Sequence, residues 1–286
     1  MPASVLLDVG PAQLSGLLAE PSGAPRGLIV ALHGGGARAA YFDSPVDPAS
    51  SLIRLAAAAG WRAVALDRPG YGASAALAAS RLRVADQVPL IARATAQLRP
   101  DACPVLLVGH SLGALVAVHA AALEALPGLV ALAIGGIPLR YTADQTERLA
   151  LINTAGAHIG RPDGPPPAPA DWFGPAGSWD PRLVDHRPDL VTRTPSAEFL
   201  DARDCPDLLP PVLGQVRCAV QVAAAEHELT TASATEVLAE ARAALVRARS
   251  VETLLLKGSG HNLSLGTGAR AYHLRVLAFA EEAVAP

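Results

Sequence analysis

"LLVGHSLGAL", residues 106–115, sets a serine between two glycines where one apolar run ends and an alanine-rich one begins. Upstream, "PVLLV" (104–108) is short and continuously apolar, as a strand buried on both faces would be. Downstream, "ALVAVHAAALEAL" (114–126) has the length and composition of a helix. A G-x-S-x-G stretch in that context puts Ser111 on a tight turn, its hydroxyl above the sheet and close to helix amides that favour developing negative charge. Ser111 then reads either as a nucleophile or as a serine capping a helix.

The same rhythm extends in both directions. Strand-like "GLIVALHG" (27–34), helical "SLIRLAAAAG" (51–60), strand-like "WRAVALDRPG" (61–70) and helical "ADQVPLIARATAQLRP" (85–100) precede the motif, and a sixth strand, "GLVALAIGGIP" (128–138), follows it. Apolar strands alternating with helices predict an α/β fold, a mostly parallel central sheet covered by helices on both faces. The pattern resumes with "RCAVQVAAAEHE" (217–228), a helix in "TASATEVLAEARAALV", a last strand in "SVETLLLKG" and a closing helix in "ARAYHLRVLAFAEEAV". The expected division is therefore a core formed by residues 1–138 and 217–286, with an insertion at 139–216 after strand 6.

That insertion contains "RPDGPPPAPADWFGPAGSWDPRL" (161–183), rich in proline and glycine yet carrying Trp172, Phe173 and Trp179. A structureless loop of that length is out of place in a compact domain, so an ordered cap or lid is expected over a disordered linker. The three aromatic residues suggest a wall for an apolar or aromatic substrate, and core packing within the cap explains each of them equally well. Arg140 and Tyr141, just past strand 6, are placed either to meet a carbonyl or carboxylate or to lie on the surface.

Composition narrows the partners. The chain has 286 residues, 51% hydrophobic and 17% charged, with a formal net charge of −3. Such a balance offers no attraction to phosphate backbones or anionic lipid, so neither nucleic acid nor membrane is an expected partner. Three cysteines, Cys103, Cys205 and Cys218, lack metal-ligand spacing and suit a reducing compartment. The first twenty residues lack a signal-peptide pattern, and a cytoplasmic location is expected. No metal and no other cofactor is called for. An apolar cap also leaves room for a homodimer face.

"ALHGGGAR" (31–38) follows an earlier strand. Successive glycines let a backbone approach a ligand and turn its N–H groups inward, as an oxyanion hole requires. The amide of Gly35 is expected to serve with that of Leu112, with Gly36 also at the substrate and His33 ordering the loop; a plain glycine turn is another reading, and a phosphate loop a third that the lack of G-K-[ST] argues against. A serine needs a base, and among eight histidines His261 is favoured, because "LLLKGSGHNLSL" places it in a glycine-rich loop past the last strand. His110 is expected to point away from the serine and His119 lies two turns into a helix, while His158, His186 and His273 have no comparable setting. The base needs an acid to fix its tautomer, and Glu226 and Glu228 both stand at the end of the strand after the insertion.

Taken in order, "HGGG" (33–36), "DRPGYGAS" (67–74), "GHSLG" (109–113), "AEHE" (225–228) and "GSGHN" (258–262) resemble the α/β-hydrolase superfamily across nearly the whole chain outside the insertion. The resemblance implies Glu228 as the acid, with Glu226 in an auxiliary position, in the order Ser111, Glu228, His261. It reads Asp67 and Arg68 as structural, and the alternative acid position after strand 6 holds Gly135 and Gly136. Glutamate in place of the commoner aspartate is a departure from the pattern. More narrowly, "VRCAVQVAAAEHE" (216–228) and "GHNLSLGTGARAYHLRVLAFAEE" (260–282) resemble actinobacterial hydrolases of secondary metabolism.

The implied activity is hydrolysis of an ester or thioester through an acyl-enzyme, on a small-molecule or carrier-tethered acyl substrate. An acyltransferase or cyclase would use the same serine with another acceptor. A hydrolase-like scaffold that binds a ligand or catalyses non-covalent chemistry would need no complete triad.

Overall fold

The computed structural model describes residues 1–285 except 78–81, 101, 153–157, 160–172, 229 and 232, with only the backbone described at 158–159. Eight strands form one sheet: β1 (Ala3–Asp8), β2 (Gln13–Ala19), β3 (Leu28–Leu32), β4 (Arg62–Leu66), β5 (Val105–His110), β6 (Leu129–Gly135), β7 (Ala219–His227) and β8 (Ser250–Gly260). Their spatial order is β1-β2-β4-β3-β5-β6-β7-β8. The β1–β2 hairpin is antiparallel and joins β4 antiparallel; the strands from β4 to β8 run parallel.

Side-chain alternation explains why the central strands are apolar throughout. Leu28, Val30 and Leu32 of β3 enter one buried cluster and Ile29 and Ala31 the other. Val105 and Leu107 of β5 likewise oppose Leu106 and Val108. Both faces need covering. Helices α1 (Leu52–Ala58) and the C-terminal Ala269–Val284 cover one face; α2 (Val84–Leu98) and α3 (Leu112–Ala122) cover the other.

The chain between β6 and β7 leaves the sheet through α4 (Ala143–Leu151) and returns through α5 (Ala197–Leu213), followed after β7 by α6 (Ala234–Ala244). A two-residue antiparallel ladder joins His158–Ile159 to Thr194–Pro195. The closing helix is α7. Among the described residues, no helix is long and apolar enough to cross a membrane.

Helix α5 is the element least visible in the sequence, because Pro206, Pro210 and Pro211 all lie inside it. Proline at 206 removes the N–H that would bond to the carbonyl four residues earlier, Ala202. That carbonyl instead accepts from the Tyr141 hydroxyl at 2.7 Å. Tyr141 is therefore committed to supporting α5, and the neighbouring Arg140 pairs at the surface with Glu236 and Glu240. The carbonyl-recognition reading of these two residues gives way to a structural one.

Candidate active site

Ser111 joins β5 to α3 with φ +52° and ψ −123°. A non-glycine residue in that region is strained and is held there by its surroundings. Its N–H donates to Gly135 O at 2.8 Å, and its carbonyl accepts from Ala114 N at 2.8 Å. The flanking glycines permit the close packing. A Cβ at 109 would collide with the Ala114 backbone, and one at 113 would overlap the carbonyl oxygens of Leu32 and His33. Because β3 lies next to β5, with Leu32 opposite Gly109, the loop after β3 arrives beside the serine.

In that loop Gly34 faces Ser111: a Cβ built on it would stand 3.0 Å from the serine Cβ. Gly35 lies against the Leu112 side chain, and Gly36, with φ +68°, takes a conformation that favours glycine. The structure thus gathers Ser111, Leu112, Gly35 and Gly36 in one place. Thr194, from the insertion, borders both Gly35 and Gly36, a neighbour that no motif had marked.

At the other side, Gly260 ends β8 in parallel register with His227 at the end of β7, after an irregularity that follows Leu256. The next residue of each chain is then His261 and Glu228, and His261 Nδ1 lies 2.7 Å from Glu228 Oε2. The second carboxylate oxygen accepts from Thr230 N at 3.2 Å and Thr230 Oγ1 at 2.8 Å. Both side chains are secluded, 6% and 5% exposed. Burial opposes the Glu228 charge, but His261 and the Thr230 hydrogen bonds outweigh it and hold the carboxyl below its ordinary range. Burial also disfavours charge on His261, yet the Glu228 carboxylate prevails and raises the imidazole above its usual value. Glu226 is elsewhere: it is tied to Lys257 Nζ at 2.9 Å and Gly258 N at 2.8 Å on the surface.

Gly136 connects the two sides, since a Cβ on it would stand 2.9 Å from His110 Cε1 and 3.1 Å from His261 Cε1. The His110 ring stacks on Tyr41 and tilts against His261, centroids 4.8 Å apart in each case. Neither of its buried ring nitrogens has a hydrogen-bond partner among the described residues, and burial pushes its pKa well down, so it forms a neutral wall behind His261. The sequence reading has His110 next to Ser111 and pointing away from it; the structure packs its ring against Tyr41 and His261.

Of the insertion's aromatic residues, Trp172 lies outside the described residues. Phe173 and Trp179 stack on each other at 5.2 Å. Gly174 abuts Gly260, and Trp179 bridges to Gly266, so the pair is seated on the loop carrying His261. On the opposite flank, Ala37 bridges to Val191 and Gly36 O accepts from Thr192 N at 2.8 Å. The insertion therefore touches both the glycine loop beside Ser111 and the loop that carries His261.

The remaining motif residues hold the frame. Asp67 accepts from Ser15 Oγ at 2.6 Å and Ala39 N at 2.8 Å, tying β2 to the turn after the glycine loop. Arg68 is fully buried and pairs with Glu198 of α5. Among the described residues, no group of three or more His, Cys, Asp or Glu side chains is arranged to hold a metal ion.

A model of the alpha/beta hydrolase family matches residues 29–272. No curated protein matches the chain in sequence. Among solved structures the chain is similar to a highly thermostable carboxyl esterase from Bacillus coagulans in complex with glycerol, with TM-score 0.71 and 18% identity over 100% of this chain and 99% of that one. It is also similar to a monoacylglycerol lipase from Paleococcus ferrophilus, with TM-score 0.70 and 16% identity over 94% and 99% of the two chains. A thioesterase domain from the curacin biosynthetic pathway gives TM-score 0.63 and 19% identity over 97% and 99%. At these identities the likeness is one of fold.

Proposed function

Because the chain belongs to the alpha/beta hydrolase family, we propose that it hydrolyses a carboxylic ester or thioester through an acyl-enzyme on Ser111, with His261 as base and Glu228 as the acid that orients it. The observation that carries this reading is the 2.7 Å contact between His261 Nδ1 and Glu228 Oε2, across the Gly135–Gly136 turn from a strained serine. With Nδ1 donating to the carboxylate, Nε2 is the nitrogen that takes the serine proton.

Ser111 Oγ attacks the acyl carbon as its proton passes to His261. The carbonyl oxygen becomes an oxyanion held by the amides of Gly35 and Leu112, where α3 begins. His261 then protonates the departing alkoxide or thiolate. Water gives its proton to the same imidazole and attacks the acyl-serine, and the tetrahedral intermediate collapses to the acid as His261 returns that proton to the departing Ser111 Oγ. Glu228 stays ionised and stabilises the imidazolium in both halves. Phe173 and Trp179 stack on each other and pack, partly buried, against the core on the side of the His261 loop, and this apolar pair beside the loop supports an apolar or aromatic acyl group as the substrate class.

A fluorophosphonate probe tests the reading. Wild-type protein should be labelled on Ser111 and lose p-nitrophenyl ester hydrolysis as it is labelled, and Ser111→Ala should show neither. Hydrolysis at the wild-type rate by purified Ser111→Ala would overturn it.

A further inference from the structure

Resting on the serine-hydrolase reading above, we propose that Arg68 and Glu198 are positioning residues for the oxyanion hole: they hold the Gly34 carbonyl so that the Gly35 amide is aimed at the reacting oxygen. Arg68 follows β4 and Glu198 lies in the first turn of α5, 130 residues apart. Both side chains are wholly excluded from solvent.

All three nitrogens of the Arg68 guanidinium are engaged. Nε donates to His33 O at 2.7 Å and Nη2 to Gly34 O at 3.3 Å, so one side chain grips two successive carbonyls of the glycine loop. Nη1 and Nη2 also donate to the two Glu198 oxygens at 2.5 and 3.0 Å. The carboxylate is completed by Gln87 Nε2 at 2.5 Å and Tyr71 Oη at 2.6 Å. A fork of this kind fixes direction as well as distance, which a single point charge would not.

His33 adds the second hold. Its Nε2 accepts from the Arg68 backbone N–H at 3.1 Å, so Nδ1 carries the proton and donates to Gly34 O at 2.7 Å. The Gly34 carbonyl thus receives two donors. In a planar trans peptide the carbonyl of one residue and the N–H of the next point in opposite directions. Tethering Gly34 C=O to Arg68 and His33 therefore turns Gly35 N–H the other way. A glycine-rich loop has little preference of its own to do this, and a peptide flip at Gly34–Gly35 would present a carbonyl where a donor is needed.

The insertion controls the arrangement because it supplies Glu198. It also pairs with the far side of the loop, through Ala37 with Val191 and Gly36 O with Thr192 N. Without Glu198 the Arg68 charge would be buried unpaired. Seating of α5 and readiness of the oxyanion hole are one event.

A crystal structure of the wild-type enzyme with a boronic acid bound to Ser111 gives the direct test. The expected result is a boronate oxygen within hydrogen-bond distance of Gly35 N, with Gly34 O still on Arg68 and His33. A boronate on Ser111 with Gly35 N turned away, or with Arg68 off the Gly34 carbonyl, would overturn the inference and leave the serine reading standing. Failure to form a Ser111 adduct, with hydrolysis retained in Ser111→Ala, would overturn both.

The kinetic test uses Arg68→Met/Glu198→Leu, which removes both charges together and so leaves no unpaired ion. We expect kcat to fall about 10²-fold, as when one oxyanion donor is lost, with KM changed by no more than about threefold. The inhibition constant of a trifluoromethyl ketone analogue should rise in proportion to the fall in kcat, and the acid limb of the kcat profile should stay in place. A folded double variant with wild-type kcat, or one whose acid limb moves, would overturn the proposal. Should that variant not fold, Glu198→Gln is measured in the same way, with the same proportionality expected and the same outcomes decisive.

Discussion

Gly260 pairs in parallel with His227, so the residues that follow them, His261 and Glu228, leave adjacent strand ends together and meet at 2.7 Å. The two candidate acids are separated by this register. Glu228 lies past the strand end and reaches His261, and Glu226, two residues back within β7, reaches the surface and Lys257.

Glu228→Gln should lower kcat by about 10³–10⁴-fold, because an amide in that place supports the wrong imidazole tautomer. Glu226→Gln should leave kcat within about twofold, since an exposed ion pair contributes little. Steady-state hydrolysis of a p-nitrophenyl ester compares the two directly.

The same pair gives opposite pH dependences for activity and stability. A neutral His261 is the base, and its pKa is raised, so kcat/KM should fall as pH drops through a value above the ordinary 6.5 of histidine. A raised His261 contributes stability that is fully present below 6.5 and lost as pH rises through its folded pKa. A lowered Glu228 contributes stability present above the ordinary 4.5 and lost as pH falls through its folded pKa. The pair is therefore most stabilising between those two values. The difference in Tm between wild type and Glu228→Gln should be largest there and shrink toward pH 9, as activity rises.

Ser111 holds φ +52° without being glycine. Ser111→Gly and Ser111→Ala should both be inactive, and the glycine variant should unfold at higher temperature, by an amount equivalent to about 1 kcal/mol, because it removes backbone strain that alanine retains. Paired thermal melts on the two variants measure it. Equal melting temperatures would mean that the elbow is unstrained.

The sheet was legible in the sequence because its central strands are buried on both faces and so are written as unbroken apolar runs. The serine turn, the glycine loop and the histidine loop were legible because each needs glycine at fixed positions for steric reasons, as Gly109 and Gly113 illustrate. What escaped was whatever depended on distant pairing. Glu198 looks like an ordinary charge in the sequence, and only the docking of α5 places it on Arg68. The β1–β2 hairpin carries a weaker signal, since it forms an edge of the sheet and leaves Leu6 exposed. Helix α5 was hidden by three prolines that would ordinarily break it.

That last case makes its own prediction. If Tyr141 stands in for the amide that Pro206 lacks, Tyr141→Phe should cost about 1–2 kcal/mol by leaving the Ala202 carbonyl without its donor. Pro206→Ala restores an N–H able to reach that carbonyl, so it should reduce the cost of Tyr141→Phe to a few tenths of a kcal/mol. A double-mutant cycle by urea denaturation reads the difference as a coupling of about 1 kcal/mol between residues 141 and 206. Additive single effects would show instead that the hydroxyl contributes through packing alone, and that the helix tolerates its prolines without help from Tyr141.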